Sequence, residues 1–438
     1  MSIPRSKLKP LYSPSDDRMK EPKASISDYA TSGWIRLLKV TAGLAVVGFL
    51  GGVGCQPTQS PSALKSDSSP TSADQCPVAY DPTQDYFPNK VQSDYAVGFS
   101  VEYHRHYKIV TVQNPWKGAN QTFQYLLVQC GTPKPPGFED LPMVEVPISS
   151  LVVLSTTYLP HLELLGQLDT LVGVSQFKQV NSLKVRAKID RGELVEFNSG
   201  NTLDVERLLV TAPDLVMTYG TGNPDTDSHP RLVKAGLPVA LVGEYMEESP
   251  LGQAEWLKYT ALFFNQEAQA EQVFSDIAQE YQSMVQLAQS VAQRPTVFTG
   301  FSHNGTWYMP GGKSYVSQLL QDAGANYLWS ESDARGSLPL DFEAVFNRAV
   351  KAEFWVNVSQ DWRSRQDAIS TDARYGQLSA VQADRVFNNT ARVNAAGGND
   401  YWESGVVNPH KVLADLIKIF HPELLPNHQL IYYQKLDS

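Results

Sequence analysis

Two glycine-containing segments in the second half of the chain resemble motifs that carry catalysis. Gly311-Gly312-Lys313-Ser314 has the ending of a phosphate-binding loop, but Trp307 stands where that loop requires its first glycine. Gly300-Phe301-Ser302-His303-Asn304 has the serine of a nucleophile elbow, but Asn304 replaces the second glycine of that turn. Neither segment supports catalysis, so the sequence predicts no catalytic residue and no enzyme activity.

A pair of histidines is the nearest approach to a metal site. His104 and His106 lie two residues apart on a predicted strand, so both face the same side, as zinc ligands can. No further His, Asp or Cys follows nearby, and the eight histidines are otherwise scattered. The sequence therefore predicts no metal held directly by side chains and no cofactor.

Aromatic residues collect in loops that follow predicted strands. Open α/β sheets bind ligands at the carboxyl ends of their strands, and aromatic faces grip large, partly planar ligands. A packing role is also open for each of them, because Tyr and Trp are often half-buried. The candidate ligand-binding residues are Tyr158, Tyr219, Trp307, Tyr308, Trp362, Tyr401 and Trp402.

The elements that would position these residues alternate between strand and helix. An apolar run at 151–154 precedes a helical pattern at 157–165, which ends at Gly166, and a second apolar run follows at 171–174. Strands that alternate with helices predict a parallel sheet covered on both faces.

An internal repeat predicts two similar lobes. Leu203–Leu209 precedes a predicted strand at 214–218, and Leu340–Phe346 precedes another at 353–358. Glu206 and Glu343 occupy the same place in the two copies. The fold class is therefore α/β, with two similar lobes of one topology, each built on a parallel-type sheet flanked by helices.

One long helix is predicted between the lobes. No Gly or Pro occurs from Gln253 to Arg294, and apolar residues recur at helical spacing within Ala268–Gln293. Such a helix is about 26 residues and roughly 40 Å long. It would hold the lobes apart with a ligand cleft between them and permit only modest hinge motion.

The N-terminus contains a membrane-targeting segment. A polar, basic stretch leads into the apolar run Val40–Gly54, which stops at Cys55. The small residues before Cys55 favour cleavage and lipidation there, but Gly52 replaces an expected Leu, so an uncleaved anchor helix stays open. Either alternative places the bulk of the chain outside the cytoplasm.

A spacer and a β-rich segment follow. Residues 56–75 are rich in Ser, Pro, Thr and Asp and predict a flexible tether. Short β-rich runs from Tyr95 to Gln129 predict a small antiparallel sheet. Cys76 and Cys130 flank this segment and either pair in an oxidising compartment or are unrelated buried residues.

Composition limits the partners. With 438 residues and 42% hydrophobic content, the chain can bury more than one core. The formal net charge is −10, and Lys and Arg do not cluster, which argues against a nucleic-acid partner.

The order of several segments resembles a known family from about Val144 onward. The ABC-importer solute-binding proteins of the iron-siderophore and cobalamin type have two lobes joined by one backbone helix. The segments that carry the resemblance include Val153-Leu154-Ser155, Leu203–Leu209, Pro250–Trp256, Gly397–Glu403 and Leu413–Glu423.

The resemblance implies a function and a set of partners. It implies an extracytoplasmic protein, expected to be a monomer, that captures a metal chelate such as a ferric siderophore, cobalamin or haem and delivers it to an ABC permease and ATPase complex. It also implies that Glu206 and Glu343 pair with permease arginines, although the helix dipole alone would favour a glutamate in a first turn. Two alternatives are a surface interaction protein that uses residues 80–130 and a hydrolase with an unrecognised site.

These predictions divide the chain into six parts. The expected boundaries are a targeting segment at 1–55, a tether at 56–77, a β-rich extension at 78–147, an N-terminal lobe at 148–250, a linker helix region at 251–294 and a C-terminal lobe at 295–438.

Overall fold

A computed structural model describes residues 76–199 and 202–437. The predicted targeting segment, most of the tether and Cys55 lie outside these ranges. Within them, no helix is both long enough and apolar enough to cross a bilayer.

The extension forms a four-stranded sheet in the order β1-β2-β3-β4. The first three strands pair antiparallel, as predicted, and the fourth runs parallel to β3. Cys76 and Cys130 form a disulfide with their Cα atoms 5.0 Å apart. The strands are β1 (Phe99–Tyr103), β2 (Tyr107–Val112), β3 (Phe123–Gln129) and β4 (Met143–Val146).

The N-terminal lobe is built on a five-stranded parallel sheet in the order β11-β10-β5-β6-β7, which confirms the predicted alternation. In chain order its elements are β5 (Leu151–Val153), α1 (Leu159–Leu164), β6 (Leu171–Val174), α2 (Leu183–Asp190), β7 (Val195–Glu196), β8 (Asn198–Ser199), β9 (Thr202–Leu203), α3 (Val205–Thr211), β10 (Leu215–Thr218), α4 (His229–Lys234) and β11 (Val239–Leu241).

Two helices follow, α5 (Pro250–Ala261) and α6 (Glu267–Gln289). The predicted long helix is α6, but it ends four residues early, because Pro295 disfavours helix before it and the chain must turn into the next strand. Every residue of α5 is buried. Its apolar residues join both main cores: Leu251 packs with the C-terminal lobe, whereas Trp256 packs with the N-terminal lobe.

The C-terminal lobe has a second five-stranded sheet in the order β15-β12-β17-β18-β19, parallel except for its last pair. Its elements are β12 (Thr296–Thr299), β13 (Ser302–His303), β14 (Thr306–Pro310), α7 (Tyr315–Asp322), β15 (Asn326–Tyr327), β16 (Ser337–Asp341), α8 (Phe342–Ala349), β17 (Phe354–Val356), α9 (Arg365–Thr371), α10 (Ser379–Gln382), β18 (Val386–Asn388), α11 (Ser404–Val407), α12 (Pro409–Phe420) and β19 (Gln434–Lys435).

A three-stranded antiparallel sheet, β13-β14-β16, was not predicted from the sequence. Its first turn is Asn304-Gly305, and both residues have positive φ, at 50° and 81°. Asn-Gly is a strong signal for a two-residue hairpin. The segment that resembled a nucleophile elbow is therefore the start of this hairpin.

The extension shares a core with the N-terminal lobe. Phe99, Val110 and Leu127 of the extension pack in one cluster with Leu151 and Met217 of the lobe. Buried carboxylates of α5 and the loop before it add polar contacts. Glu255 accepts backbone N–H groups of residues 94–96, and Glu247 accepts those of residues 97 and 98. A single core thus crosses the boundary expected near residue 147.

Candidate ligand-binding cleft

Direct hydrogen bonds join the two lobes across the cleft. Glu403 of the C-terminal lobe accepts the backbone N–H groups of Asn181, at 2.8 Å, and Ser182, at 2.6 Å. Asn394 Nδ2 donates to the carbonyl oxygens of Lys178, at 3.0 Å, and Val180, at 3.1 Å. The segment 178–182 of the N-terminal lobe is therefore held by the loop that precedes α11.

The carboxyl group of Glu403 is buried at the contact between the lobes and titrates near neutral pH. Its side chain is 1% exposed and lies at the N-terminal end of α2. Burial raises the pKa of Glu403 to about 7, although the N–H groups of Asn181 and Ser182 favour the ionised form. Burial between the lobes therefore favours the neutral form of Glu403, so contact between the lobes and protonation of this carboxyl favour each other.

A cavity of about 190 Å³ lies where strands of the N-terminal lobe end. It follows β5, β6 and β10, as expected for the binding edge of a parallel sheet. Its lining is mostly polar and includes Ser175, Asn198, Thr218, Tyr219, Asp227 and Arg231. Asn198 also borders a more open depression of about 420 Å³ that contains Lys178 and Arg207.

The extension packs against a loop that borders this cavity. Trp116 lies against the loop after Tyr219 so closely that an added Cβ at Gly220 or Gly222 would stand 2.7 or 2.6 Å from its ring. The next residue, Lys117, donates from Nζ to the carbonyl oxygen of Ser337 in the C-terminal lobe at 3.4 Å. Sequence reasoning missed Trp116, because contact with a loop about a hundred residues away leaves no local pattern.

Substituting Gly222 with alanine is expected to lower the free energy of unfolding by about 2–4 kcal/mol. The positive φ of 81° costs about 1 kcal/mol for a non-glycine residue, and the clash with Trp116 adds about 1–3 kcal/mol. Gly118→Ala is the matched control, since its φ is 78° and nothing lies within 4 Å of its added Cβ. Urea denaturation measures both variants, and equal losses would show that Trp116 does not constrain the loop.

The predicted aromatic residues separate into three groups. Tyr219, Tyr308 and Trp402 are exposed, at 45%, 57% and 46%. Tyr158 is buried in the core that the N-terminal lobe shares with the extension, and Tyr401 is buried in the core of the C-terminal lobe, on the turn before α11. Their ligand roles stay predictions.

Trp307 and Trp362 form the third group, and their burial contradicts the ligand-binding role predicted from the sequence. Trp307 and Trp362 are buried in the core of the C-terminal lobe, and their indole N–H groups donate to Thr299 O and Thr371 Oγ1. Side chains alternate across a strand, so Trp307 of β14 faces this core whereas Tyr308 faces solvent. Neither tryptophan presents a face to a ligand here.

The comparison with protein families decides where the chain belongs. The sequence profile of the family described as periplasmic binding protein matches residues 151–393. The chain belongs to the periplasmic binding protein family.

Known proteins resemble the chain over most of its length. Two uncharacterized lipoproteins of Methanocaldococcus jannaschii are 23% and 24% identical to it, over 68% and 72% of this chain and 71% and 80% of their own lengths. A periplasmic binding protein from Veillonella parvula has the same fold, with a TM-score of 0.51 and 12% identity, over 74% of this chain and 98% of that one.

The two repeat glutamates of this periplasmic binding protein lie at equivalent helix starts. Glu206 is the second residue of α3 and Glu343 the second residue of α8, and both are exposed. Glu343 pairs with Arg374 at 2.5 Å, and Arg374 also pairs with Asp372. No comparable pair forms at Glu206 in the described part of the chain. The two glutamates therefore have equivalent backbone positions, but they differ in whether an arginine is paired with them.

The motifs that resembled catalytic sites serve packing in this periplasmic binding protein. An added Cβ at Gly311 or Gly312 would stand 2.1 or 2.3 Å from backbone oxygens of Ala334 or Ser332, so these glycines permit a close backbone approach. His104 stacks on Tyr107, and His106 contacts Tyr80. Among the described residues, no group of three or more His, Cys, Asp or Glu could hold a metal ion. Members of the family are solute-binding proteins.

Proposed function

We propose that the protein captures a metal chelate, either a ferric siderophore or a related cobalamin or haem, in the cleft between its lobes and delivers it to an ABC permease and ATPase complex. Cys55 or an uncleaved N-terminal helix would hold it as a monomer at the extracytoplasmic face of the membrane. The naming of two relatives as lipoproteins agrees with attachment through a lipid.

The observation that carries the proposal is the placement of exposed aromatic side chains. Tyr219 follows strand β10 of one lobe, whereas Tyr308 and Trp402 belong to the other. Lys117, which follows Trp116, contacts Ser337, and Ser337 pairs with Pro310 two residues from Tyr308. Exposed aromatic faces on both lobes suit a large, partly planar ligand.

Cationic side chains complement these aromatics. Arg231 lines the cavity beside Tyr219, and Lys178 and Arg207 border the adjoining depression. Chelates often carry carboxylate or phosphate groups, which arginine and lysine bind well. These three residues extend the set of candidates beyond the aromatic residues found in the sequence.

Calorimetric titration of the full chain in detergent with ferric siderophores, cobalamin and haem tests the ligand class. We expect one class to bind, and Tyr219→Ala or Trp402→Ala to weaken binding by about 2- to 12-fold, since an aromatic contact contributes about 0.5–1.5 kcal/mol. Tyr95→Ala, a tyrosine of the extension that is 38% exposed, should leave affinity unchanged. Absence of binding to all three classes would refute the proposal.

Delivery should depend on Glu206 and Glu343 while capture does not. We expect the double variant Glu206→Ala, Glu343→Ala to bind a chelate normally and to lose uptake in reconstituted vesicles. Glu206→Ala alone should have the larger effect of the two single changes, because Arg374 already neutralises Glu343. Glu423→Ala on the C-terminal lobe surface is the control, and unimpaired uptake by the double variant would exclude the docking roles.

A further inference from the structure

Two buried polar atoms at the carboxyl edge of the N-terminal sheet have no hydrogen-bond partner in the described chain. Glu244 follows β11, is 4% exposed, and accepts a hydrogen bond at Oε1 from Thr157 Oγ1 at 2.9 Å, whereas its Oε2 is unpartnered. Tyr158 follows β5, is fully buried, and its hydroxyl is likewise unpartnered. Buried polar groups are normally paired, so both atoms point to a missing partner.

The two side chains influence each other. After burial, the charge of Glu244 is the largest cause that raises the pKa of Tyr158. Tyr245 is also nearby, but its hydroxyl already donates to Gly220 O at 2.6 Å. Thr157, which donates to Glu244 Oε1, directly precedes Tyr158 in the chain, so the two unpartnered groups belong to one small polar cluster, which we name the Glu244–Tyr158 site.

The surroundings of this site contain negative charge and phenols. Glu247, on the same loop, adds a second carboxylate that acts on Glu244. Besides burial, the nearby phenols of Tyr219, Tyr245 and Tyr259 contribute to raising the pKa of Tyr158, and the charge of Glu244 contributes to raising the pKa of Tyr315 on α7 of the C-terminal lobe. Within the described residues, no Lys, Arg or His makes an ion pair with Glu244. Burial accordingly raises the pKa of Glu244 to about 7.

The site lies where the lobes close. The turn Thr156–Tyr158 packs against α11 of the C-terminal lobe, so separation of the lobes would open the site and their contact would cover it. A charge-assisted hydrogen bond formed there is shielded from water and is correspondingly strong.

We propose that Glu244 and Tyr158 bind a protonated amine of the captured ligand. An ammonium group donates several hydrogen bonds and carries the positive charge that this acidic site lacks. A single carboxylate beside a phenol is a poor site for a bare metal ion, and no metal-binding group of three residues occurs in the described chain. The inference rests on the proposed function, because it assigns the ligand a positively charged nitrogen.

The test uses the full chain in detergent at pH 8, where Glu244 is mostly ionised, and a pair of chelates that differ in one charge. Ferrioxamine B carries a free ammonium group, and its N-acetyl derivative does not. We expect the wild type to bind ferrioxamine B at least 10-fold more tightly. Glu244→Gln should reduce this preference to less than twofold and Tyr158→Phe to about threefold. Glu248→Gln, four residues along the same loop, should retain it.

A second arm does not depend on chelate binding. n-Butylammonium should raise the unfolding midpoint of the wild type in a saturable manner, whereas butanol should not, and Glu244→Gln should abolish the response. If Glu244→Gln does not fold, Tyr158→Phe takes its place in both arms.

The outcomes separate the two proposals. Chelate binding without an ammonium preference, or with a preference that Glu244→Gln retains, overturns the amine site and leaves the proposed function standing. A Glu244-dependent response to n-butylammonium without binding of either ferrioxamine supports the amine site and excludes ferrioxamine as the ligand, while the chelate class is refuted only if cobalamin and haem also fail to bind. If n-butylammonium has no effect and no chelate of the three classes binds, both proposals are overturned.

Discussion

Replacement of Lys108 by methionine is expected to lower the free energy of unfolding by about 3–5 kcal/mol. Lys108 lies on β2 of the extension and is fully buried. Its Nζ donates to Glu267 Oε1 at 2.7 Å, to Asn265 Oδ1 at 2.9 Å and to Leu262 O at 2.7 Å. Methionine would leave Glu267 buried without its cation.

The environment of Lys108 explains why the loss should be large. Burial lowers the pKa of Lys108, while Glu267 favours its charged form. Its ammonium also lies 4.5 Å from the ring centre of Phe87. All these partners sit at the junction of the extension with the corner between α5 and α6, so the change should loosen the extension as a whole.

Chemical denaturation of the full chain measures the loss. Lys90→Met is the matched control, because the ion pair of Lys90 with Asp85 is 45% exposed on both sides and should contribute less than about 1 kcal/mol. The double variant Lys108→Met, Glu267→Gln should recover part of the loss. A loss at Lys108 no larger than that at Lys90 would contradict the role given to this contact.

Replacement of Glu403 by alanine should shift the protein toward separated lobes. The change leaves the N–H groups of Asn181 and Ser182 without their acceptor, which costs about 2–4 kcal/mol in the closing equilibrium at pH 5.5. Ligand release should be correspondingly faster. Small-angle scattering, or the distance between spin labels on the two lobes, reports the shift.

The cost should fall at higher pH. The pKa of Glu403 is about 7 between the closed lobes and would approach its ordinary value of 4.5 once the lobes separate. The closed state therefore binds the proton more tightly, and its stabilisation is fully present below pH 4.5 and lost as the pH rises through 7. The difference is up to about 3 kcal/mol. A Glu403→Ala effect that is equal at pH 5.5 and pH 8, or matched by Glu423→Ala, would contradict this.

Local patterns predicted the parts of the fold that local physics determines. Apolar runs alternating with helical patterns predicted both parallel sheets, and the repeat placed Glu206 and Glu343 at equivalent helix starts. By contrast, α5 contains Gln253, Glu255 and Lys258, which are buried although polar and charged side chains usually lie at the surface. Their partners include backbone groups about 160 residues away, which no periodicity reveals.

The candidate cleft was predictable only in part, for a related reason. Loops after strands locate the binding edge, but they do not say which aromatic side chain faces it. Trp307 and Tyr308 are neighbours on one strand and point in opposite directions. The unpartnered atoms of Glu244 and Tyr158 depend on how the loops pack, and Trp116, which packs on the loop after Tyr219, belongs to a segment outside the resemblance.

The bonds between Glu255 and the extension have a consequence for biosynthesis. The backbone N–H groups of residues 94–96 are made about 160 residues before the carboxylate that accepts them. At typical rates of synthesis this is a delay of roughly 8–30 s. During that interval Phe99, Val110 and Leu127 have no completed core to enter. Apolar side chains of the early segment are therefore expected to stay uncovered until α5 has been made, and rapid overproduction should favour aggregation through this segment.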